Sequence, residues 1–137
     1  LRDLGVRSFL IADSLIGVVS QRLIRKICNS CIETYTPSEQ ETAYLKDPAI
    51  ETLYRGRGCE VCNGSGYFGR TLVYELLAID KALSLLIDRE VELKVITDTA
   101  REVNGFRDIF EITVEKVKQG ITTTEEAVRV LGHLRQT

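Results

Sequence analysis

The chain has no methionine and no tryptophan, one histidine and two prolines among its 137 residues. Each scarcity excludes something. With His133 alone near the C-terminal end, imidazole acid–base chemistry has no partner residues, and a solvated surface histidine is the better reading than a ligand. No Gly-rich loop followed by Lys-Ser/Thr occurs to cradle a phosphate, and no Ser-His-Asp set is available. No apolar run is long enough to cross a bilayer. The most apolar stretch, Phe9 to Ile27, is broken by Asp13, Ser14, Ser20, Gln21, Arg22, Arg25 and Lys26. A net charge of −2 and a pI near 5.5 argue against a dedicated nucleic-acid binder. The missing methionine has a companion at the start of the chain. Leu1-Arg2-Asp3-Leu4-Gly5 reads as the last turn of a helix capped by a left-handed Gly5. The expectation is a piece of a longer protein, cut inside a helix.

What is present is concentrated in four cysteines, set as Cys28-Asn29-Ser30-Cys31 and Cys59-Glu60-Val61-Cys62 with none left over. Two residues between thiols let both sulfurs of a turn face one ion, and two such turns complete a tetrahedron around Zn²⁺. Asn63-Gly64-Ser65-Gly66 follows, and its glycines allow positive φ, so that backbone N–H groups can point at thiolates. Four thiolates on Zn²⁺ carry a formal charge of −2. Arg25, Lys26, Arg55, Arg57 and Arg70 lie near in sequence and are expected to offset it. Two disulfides are the competing reading, but no secretory signal accompanies them. A redox Cys-x-x-Cys usually needs a helix N-terminus. Four protein ligands leave no place for water, so the expected zinc holds structure. Its loss should unfold residues 28–66 and largely spare the helices after Ile79.

At 44% hydrophobic and 28% charged, the chain is globular in composition, with length for one domain or two small lobes. Phe9 to Ile27 reads as a helix with Ile11, Leu15, Val18, Val19, Leu23 and Ile27 as its apolar stripe and Gln21 and Arg22 on the rim. Ser38 and Glu41 form a capping box for a short helix between Pro37 and Pro48. Thr71 to Ile79 reads as a buried strand. Helices are expected over Lys81–Arg89, Val91–Val103, Arg107–Gln119 and Glu125–Leu134. Gly105 and Gly120 act as stops, and Thr122 to Glu125 acts as a capping box. The fold class is α+β, mostly α-helical. The expected parts are residues 1–27, a zinc module over 28–70, and a strand plus a small C-terminal helical bundle over 71–137.

Taken together, Leu10 to Arg25 with its Gln21-Arg22-Leu23, the tetracysteine, Gly66-Tyr67-Phe68-Gly69-Arg70 and Gly120-Ile121-Thr122 resemble the C-terminal part of the type II secretion ATPases (general secretory pathway protein E) and the type IV pilus assembly ATPases. The resemblance covers nearly the whole chain. It departs at Ser8, where many relatives carry proline, at Ile112-Thr113 in place of Asp-Gly, and at Thr124 in place of an apolar residue. It implies the end of a RecA-like ATPase core with an inserted zinc lobe. The implied metal ligands are Cys28, Cys31, Cys59 and Cys62. It also implies a cytoplasmic hexamer at the bacterial inner membrane, in contact with membrane platform proteins and not with nucleic acid. ATP and Mg²⁺ would belong to the longer parent, whose phosphate loop, acidic motif and histidine motif would precede Leu1, so the piece alone should not hydrolyse ATP. Gln21 and Arg22 would then lie close enough to nucleotide to be binding residues, against the plainer reading of Arg22 as a solvated surface residue. A zinc-bearing, Hsp40-like protein-binding module is the alternative, because Cys62-Asn63-Gly64-Ser65-Gly66 also resembles those chaperone repeats. A nucleic-acid-binding zinc ribbon is disfavoured by the acidic pI.

Overall fold

The computed structural model describes residues 1–132, so the expectations at His133 and Leu134 lie outside the described residues. A 3₁₀ turn over Arg2–Leu4 is followed by α1 (Ser8–Ser14), β1 (Gly17–Ile27), β2 (Ile32–Tyr35), α2 (Glu39–Tyr44), β3 (Leu53–Gly56) and β4 (Tyr67–Ala78). The helices α3 (Lys81–Asp88), α4 (Leu93–Asn104), α5 (Ile109–Lys118) and α6 (Thr124–Leu131) complete the described order. β1 pairs with β4 and β2 pairs with β3, giving two small sheets in a mixed α/β chain. No described helix is long and apolar enough to cross a membrane.

The expected helix over Phe9–Ile27 is corrected. Only Ser8–Ser14 is helical, and Gly17–Ile27 is a strand. Val18, Val19, Ile24 and Ile27 are β-branched, which favours the extended form. Gly17 is a poor helix former, and a Cβ there would sit 3.4 Å from the Leu77 carbonyl oxygen. An apolar spacing that fits a helix stripe fits a strand nearly as well over so short a run, and the partner strand β4 decides between them. Gln21 and Arg22 are consequently consecutive strand residues on opposite faces, not neighbours on a helix rim.

The chain divides into two compact units. One comprises residues 1–20 and 74–108, and the other comprises 21–73 and the chain from Ile109 onward. In the first, Leu83, Ile96 and Ala100 form a core with Leu77, Ile79, Leu86, Val91 and Phe106 packed around them. Asp80 caps α3 by accepting the Leu83 N–H at 2.9 Å. Gly105, at φ 63°, ends α4 with its N–H on the Ala100 carbonyl. Ser84 donates to the Ala12 carbonyl at 2.7 Å and Ser8 donates to Glu90, which fixes α1 against α3 and the turn after it.

Among the described residues, the second unit has two apolar clusters besides the cysteines. Leu45, Leu53, Val114, Val117 and Ala127 form one, with Tyr35, Tyr44, Ile50 and Phe110 around it. Ile24, Val73 and Ile109 form the other. The expected C-terminal bundle therefore does not gather around one core. α3 and α4 serve the first unit, while α5 and α6 serve the second.

The Ser38–Glu41 capping box is present in both directions. The cap of α6 is shifted by one residue from its expected place. Thr123 accepts the Glu126 N–H, and the Glu126 carboxylate does not reach back to close the box.

Candidate metal centre

The cluster is built where β1 ends, where β2 begins, and in the turn between β3 and β4. β1 delivers Cys28 directly after Ile27, and Cys31 closes the first turn with its N–H on the Cys28 carbonyl at 3.2 Å. β2 pairs antiparallel with β3 in the register Ile32↔Gly56 to Tyr35↔Leu53, which brings residues 57–62 back beside the first turn. The second turn closes through Gly64 N–H on the Cys59 carbonyl at 2.8 Å, with Asn63 and Gly64 both at positive φ. That geometry suits the Asn-Gly pair in this sequence.

Gly66 is the junction of the two turns. Its N–H donates to Cys62 Sγ at 3.2 Å, and its carbonyl accepts the Cys28 N–H at 2.9 Å. A Cβ on Gly56 would lie 2.0 Å from the Gly66 oxygen, and one on Gly66 would lie 2.5 Å from the Gly56 oxygen. No side chain fits at either place, so backbone packs on backbone here.

The four Sγ atoms lie within 4.8 Å of one another. Cys28 to Cys59 is 3.8 Å, Cys59 to Cys62 is 3.7 Å and Cys31 to Cys62 is 3.9 Å. Four sulfurs about 2.3 Å from a central ion make a tetrahedron with edges of about 3.8 Å. The cluster thus has the size of a zinc tetrathiolate. It does not have the shape of two disulfides, and all four cysteines are free.

The environment stabilises thiolate at some sulfurs and opposes it at others. Cys62 Sγ accepts from the N–H of Cys59 and of Gly66, each at 3.2 Å, and Cys31 Sγ accepts from Gly58 N–H at 3.3 Å. Burial opposes ionisation at Cys62, yet its two N–H donors prevail and bring its pKa down to about 6. At Cys31 burial prevails over the Gly58 N–H, and the neighbouring thiols add to it, so its pKa rises to about 11. Burial and backbone N–H groups thus act in opposite directions at Cys31 and Cys62, and a bound cation would favour thiolate at both.

The expected basic offset to the −2 charge is corrected in part. Arg25 is committed to the Glu126 carboxylate at 2.7 Å and Arg55 to Glu33 at 2.9 Å. The N–H donors of Gly58, Cys59 and Gly66 supply positive ends at the sulfurs instead.

A second polar constellation anchors the base of this centre, and sequence reasoning missed it. Glu126 is fully buried. Its carboxylate accepts from the Arg25 backbone N–H at 2.9 Å and from Arg25 Nε at 2.8 Å. It also accepts from Arg129 Nε at 2.8 Å and Nη2 at 2.6 Å. The Arg25 guanidinium lies 4.0 Å from the centroid of the Tyr67 ring, and Tyr67 Oη is hydrogen-bonded to Thr123 Oγ1 at 2.6 Å. Thr122 Oγ1 donates to the Arg25 carbonyl at 2.8 Å, and Ile27 N–H donates to the Ile121 carbonyl at 2.9 Å. Residues 121–126 therefore fix the last turn of β1 immediately before Cys28. Only the Glu126–Arg129 spacing was visible in sequence. The Arg25 contact joins residues 101 positions apart.

Arg22 lies apart from all of this. It is exposed on β1, and its Nη1 donates to the Gln21 carbonyl at 2.8 Å. Gln21 is also exposed.

Four clustered cysteines at the end of β1 and in the β3–β4 turn, braced by α6, define a candidate metal-binding class of site. The chain matches the family model described as "Type II/IV secretion system protein" over residues 1–129, and it belongs to that family. It is 41% identical over 134 residues to "Type II secretion system ATPase E" of Vibrio cholerae, covering 95% of this chain and 26% of that protein. It is 42% identical over 132 residues to "Type II secretion system protein E" of Pseudomonas aeruginosa, again covering 95% and 26%. It is 37% identical over 132 residues to "Type IV pilus assembly ATPase PilB" of Thermus thermophilus, covering 93% of this chain and 15% of that protein. The chain thus spans about a quarter or less of the length of these relatives. The family match leaves the Hsp40-like alternative without support.

Proposed function

We propose that this chain is the zinc-bearing C-terminal portion of a hexameric, RecA-like ATPase that couples ATP hydrolysis to protein export or pilus assembly. The observation that carries the proposal is the four-cysteine cluster of zinc dimensions inside a chain of this family. Cys28, Cys31, Cys59 and Cys62 would fill the coordination sphere of Zn²⁺, so the ion would tie the end of β1 to the β3–β4 turn and perform no chemistry. The module over 28–70 would be an insert in the ATPase, with ATP and Mg²⁺ held by residues outside this sequence. Phe68 and Leu72, 61% and 41% exposed on β4, suit a strand that a larger domain would cover. The assembly would work at the cytoplasmic face of the inner membrane against membrane platform proteins, without binding nucleic acid. Gln21 and Arg22 would approach nucleotide from β1.

ATP turnover tests the proposal. The chain alone should hydrolyse no ATP above a buffer blank, and the full-length protein that carries it should hydrolyse ATP as a hexamer. In that protein Arg22→Ala should lower turnover roughly tenfold or more, as expected for a charge-positioning group at a phosphoryl-transfer site, with zinc content unchanged. A full-length protein without turnover contradicts the function. Unchanged turnover in Arg22→Ala, with hexamer and zinc intact, removes Arg22 from the nucleotide site and leaves the function standing.

A further inference from the structure

The four sulfurs are not equivalent, and the difference assigns them different reactivities. Cys28, Cys31 and Cys62 are 1%, 4% and 5% exposed, whereas Cys59 is only half-buried, the least buried of the four. Cys31 and Cys62 accept backbone N–H groups, which draw electron density from sulfur, while no N–H donates to Cys59 or Cys28 among the described residues. With zinc holding all four sulfurs as thiolates, Cys59 combines the greatest access with a sulfur that no N–H donor makes less nucleophilic. Cys28 has the second property without the first.

From this asymmetry we propose that Cys59 is a modification site: the sulfur at which a small neutral oxidant such as hydrogen peroxide attacks the cluster, with Cys28 as the resolving thiolate. The proposal rests on the reading that the four cysteines hold zinc as thiolates. The exposed Glu60 carboxylate beside Cys59 favours a neutral attacker over an anionic one. The Cys59 thiolate attacks one peroxide oxygen, the O–O bond breaks, hydroxide leaves and sulfenic acid forms at Cys59. The Cys28 thiolate, 3.8 Å away, then attacks the Cys59 sulfur, the S–S bond forms and a second hydroxide leaves. Two thiolates and one peroxide thus become one disulfide and two hydroxides. Cys62 is as near, at 3.7 Å, but its two N–H donors make it the poorer nucleophile. Cys31 and Cys62 alone cannot hold the ion, so zinc leaves with the disulfide.

The test uses the zinc-loaded chain, its metal content measured beforehand, and substoichiometric hydrogen peroxide. Dimedone present during the reaction should be found on Cys59 by peptide mapping. Without dimedone, a Cys28–Cys59 disulfide should form with one zinc released per disulfide, followed by a chromogenic chelator. Cys59→His, which retains a zinc-ligating side chain, should slow peroxide-driven release roughly tenfold or more. First modification at Cys28, Cys31 or Cys62 overturns the proposal, and so does release from Cys59→His at the native rate. A Cys59–Cys62 disulfide overturns the role of Cys28. Should Cys59→His hold no zinc, mapping on the native chain decides alone. A native chain that holds no zinc at the outset overturns the metal reading instead, which keeps the two failures distinct.

Discussion

Cys62→Ser is expected to unfold the whole second unit, well beyond the residues between the cysteines. Cys62 is 5% exposed and its sulfur lies 3.7 Å from Cys59 and 3.9 Å from Cys31. A hydroxyl cannot replace a thiolate there, and the binding energy of a structural zinc is folding energy. The sequence pattern alone predicts damage confined to residues 28–66. The structure widens it, because Leu45 and Leu53 of the lobe share one core with Val114 and Val117 of α5 and Ala127 of α6. Loss of the lobe removes two of those five buried side chains. The expected destabilisation exceeds about 4 kcal/mol, the range typical of a lost metal site. Hydrogen exchange reads it out: amides of β2, β3, α5 and α6 should lose protection. Amides of α3 and α4 should keep theirs, because their core of Leu83, Ile96 and Ala100 draws nothing from the lobe. Protected α5 and α6 amides in Cys62→Ser would contradict the shared core, and unprotected α3 and α4 amides would contradict the division into two units.

Glu126→Ala is expected to cost about 2–3 kcal/mol, because it leaves the Arg25 backbone N–H unsatisfied and removes the bonds that hold the partly exposed guanidinium of Arg25 in place. The same carboxylate sets an acid limit. Burial pushes the Glu126 pKa up, but the hydrogen bonds from Arg129 and Arg25 prevail and hold it at about 2, against an ordinary value of 4.5. A carboxylate whose folded pKa is depressed contributes stability above its unfolded pKa and loses it as pH falls through the folded one. The contribution is therefore complete above about pH 4.5 and disappears towards pH 2, with an integrated size on the order of 3 kcal/mol. Glu126→Gln removes the titration while keeping the shape. Urea unfolding of both proteins at several pH values checks this. The gap between them should narrow steadily below pH 4.5. A gap that stays constant down to pH 2 would mean that Glu126 is not held ionised by its two arginines.

The cysteine cluster was the most legible part of the sequence, since paired cysteines with two-residue spacing specify which side chains can converge, and their sulfurs do lie within 4.8 Å of one another. Local signals also read through. The Ser38–Glu41 box and the Asn104-Gly105 stop depend on near neighbours. The buried strand expected over Thr71–Ile79 is corrected: β4 runs Tyr67–Ala78 and buries Val73 alone, with Leu72, Tyr74 and Leu76 exposed, since branched and aromatic residues favour the extended form without fixing what covers it. What failed depended on distant partners. Gly17–Ile27 carries an apolar spacing compatible with helix or strand, and its pairing with β4, some fifty residues on, settles the choice. The same distance hid Glu126, whose i,i+3 spacing to Arg129 suggests an ordinary surface pair. Its burial comes from Arg25 and from the strand that presents it. The division of α3 to α6 between two cores was hidden for a related reason, since helical periodicity shows that a face is buried and not against what. Charge placement misled as well. Arg25 and Arg55 stand near the cysteines in sequence, yet carboxylates claim both, and backbone N–H groups serve the sulfurs.

Metal content with X-ray absorption at the zinc edge, on the chain purified under reducing conditions, tests the central claim most directly. The account predicts one zinc per chain, bound by four sulfurs at about 2.3 Å with no nitrogen or oxygen in the first sphere. A folded chain without zinc, or with zinc bound through fewer than four sulfurs, would contradict it.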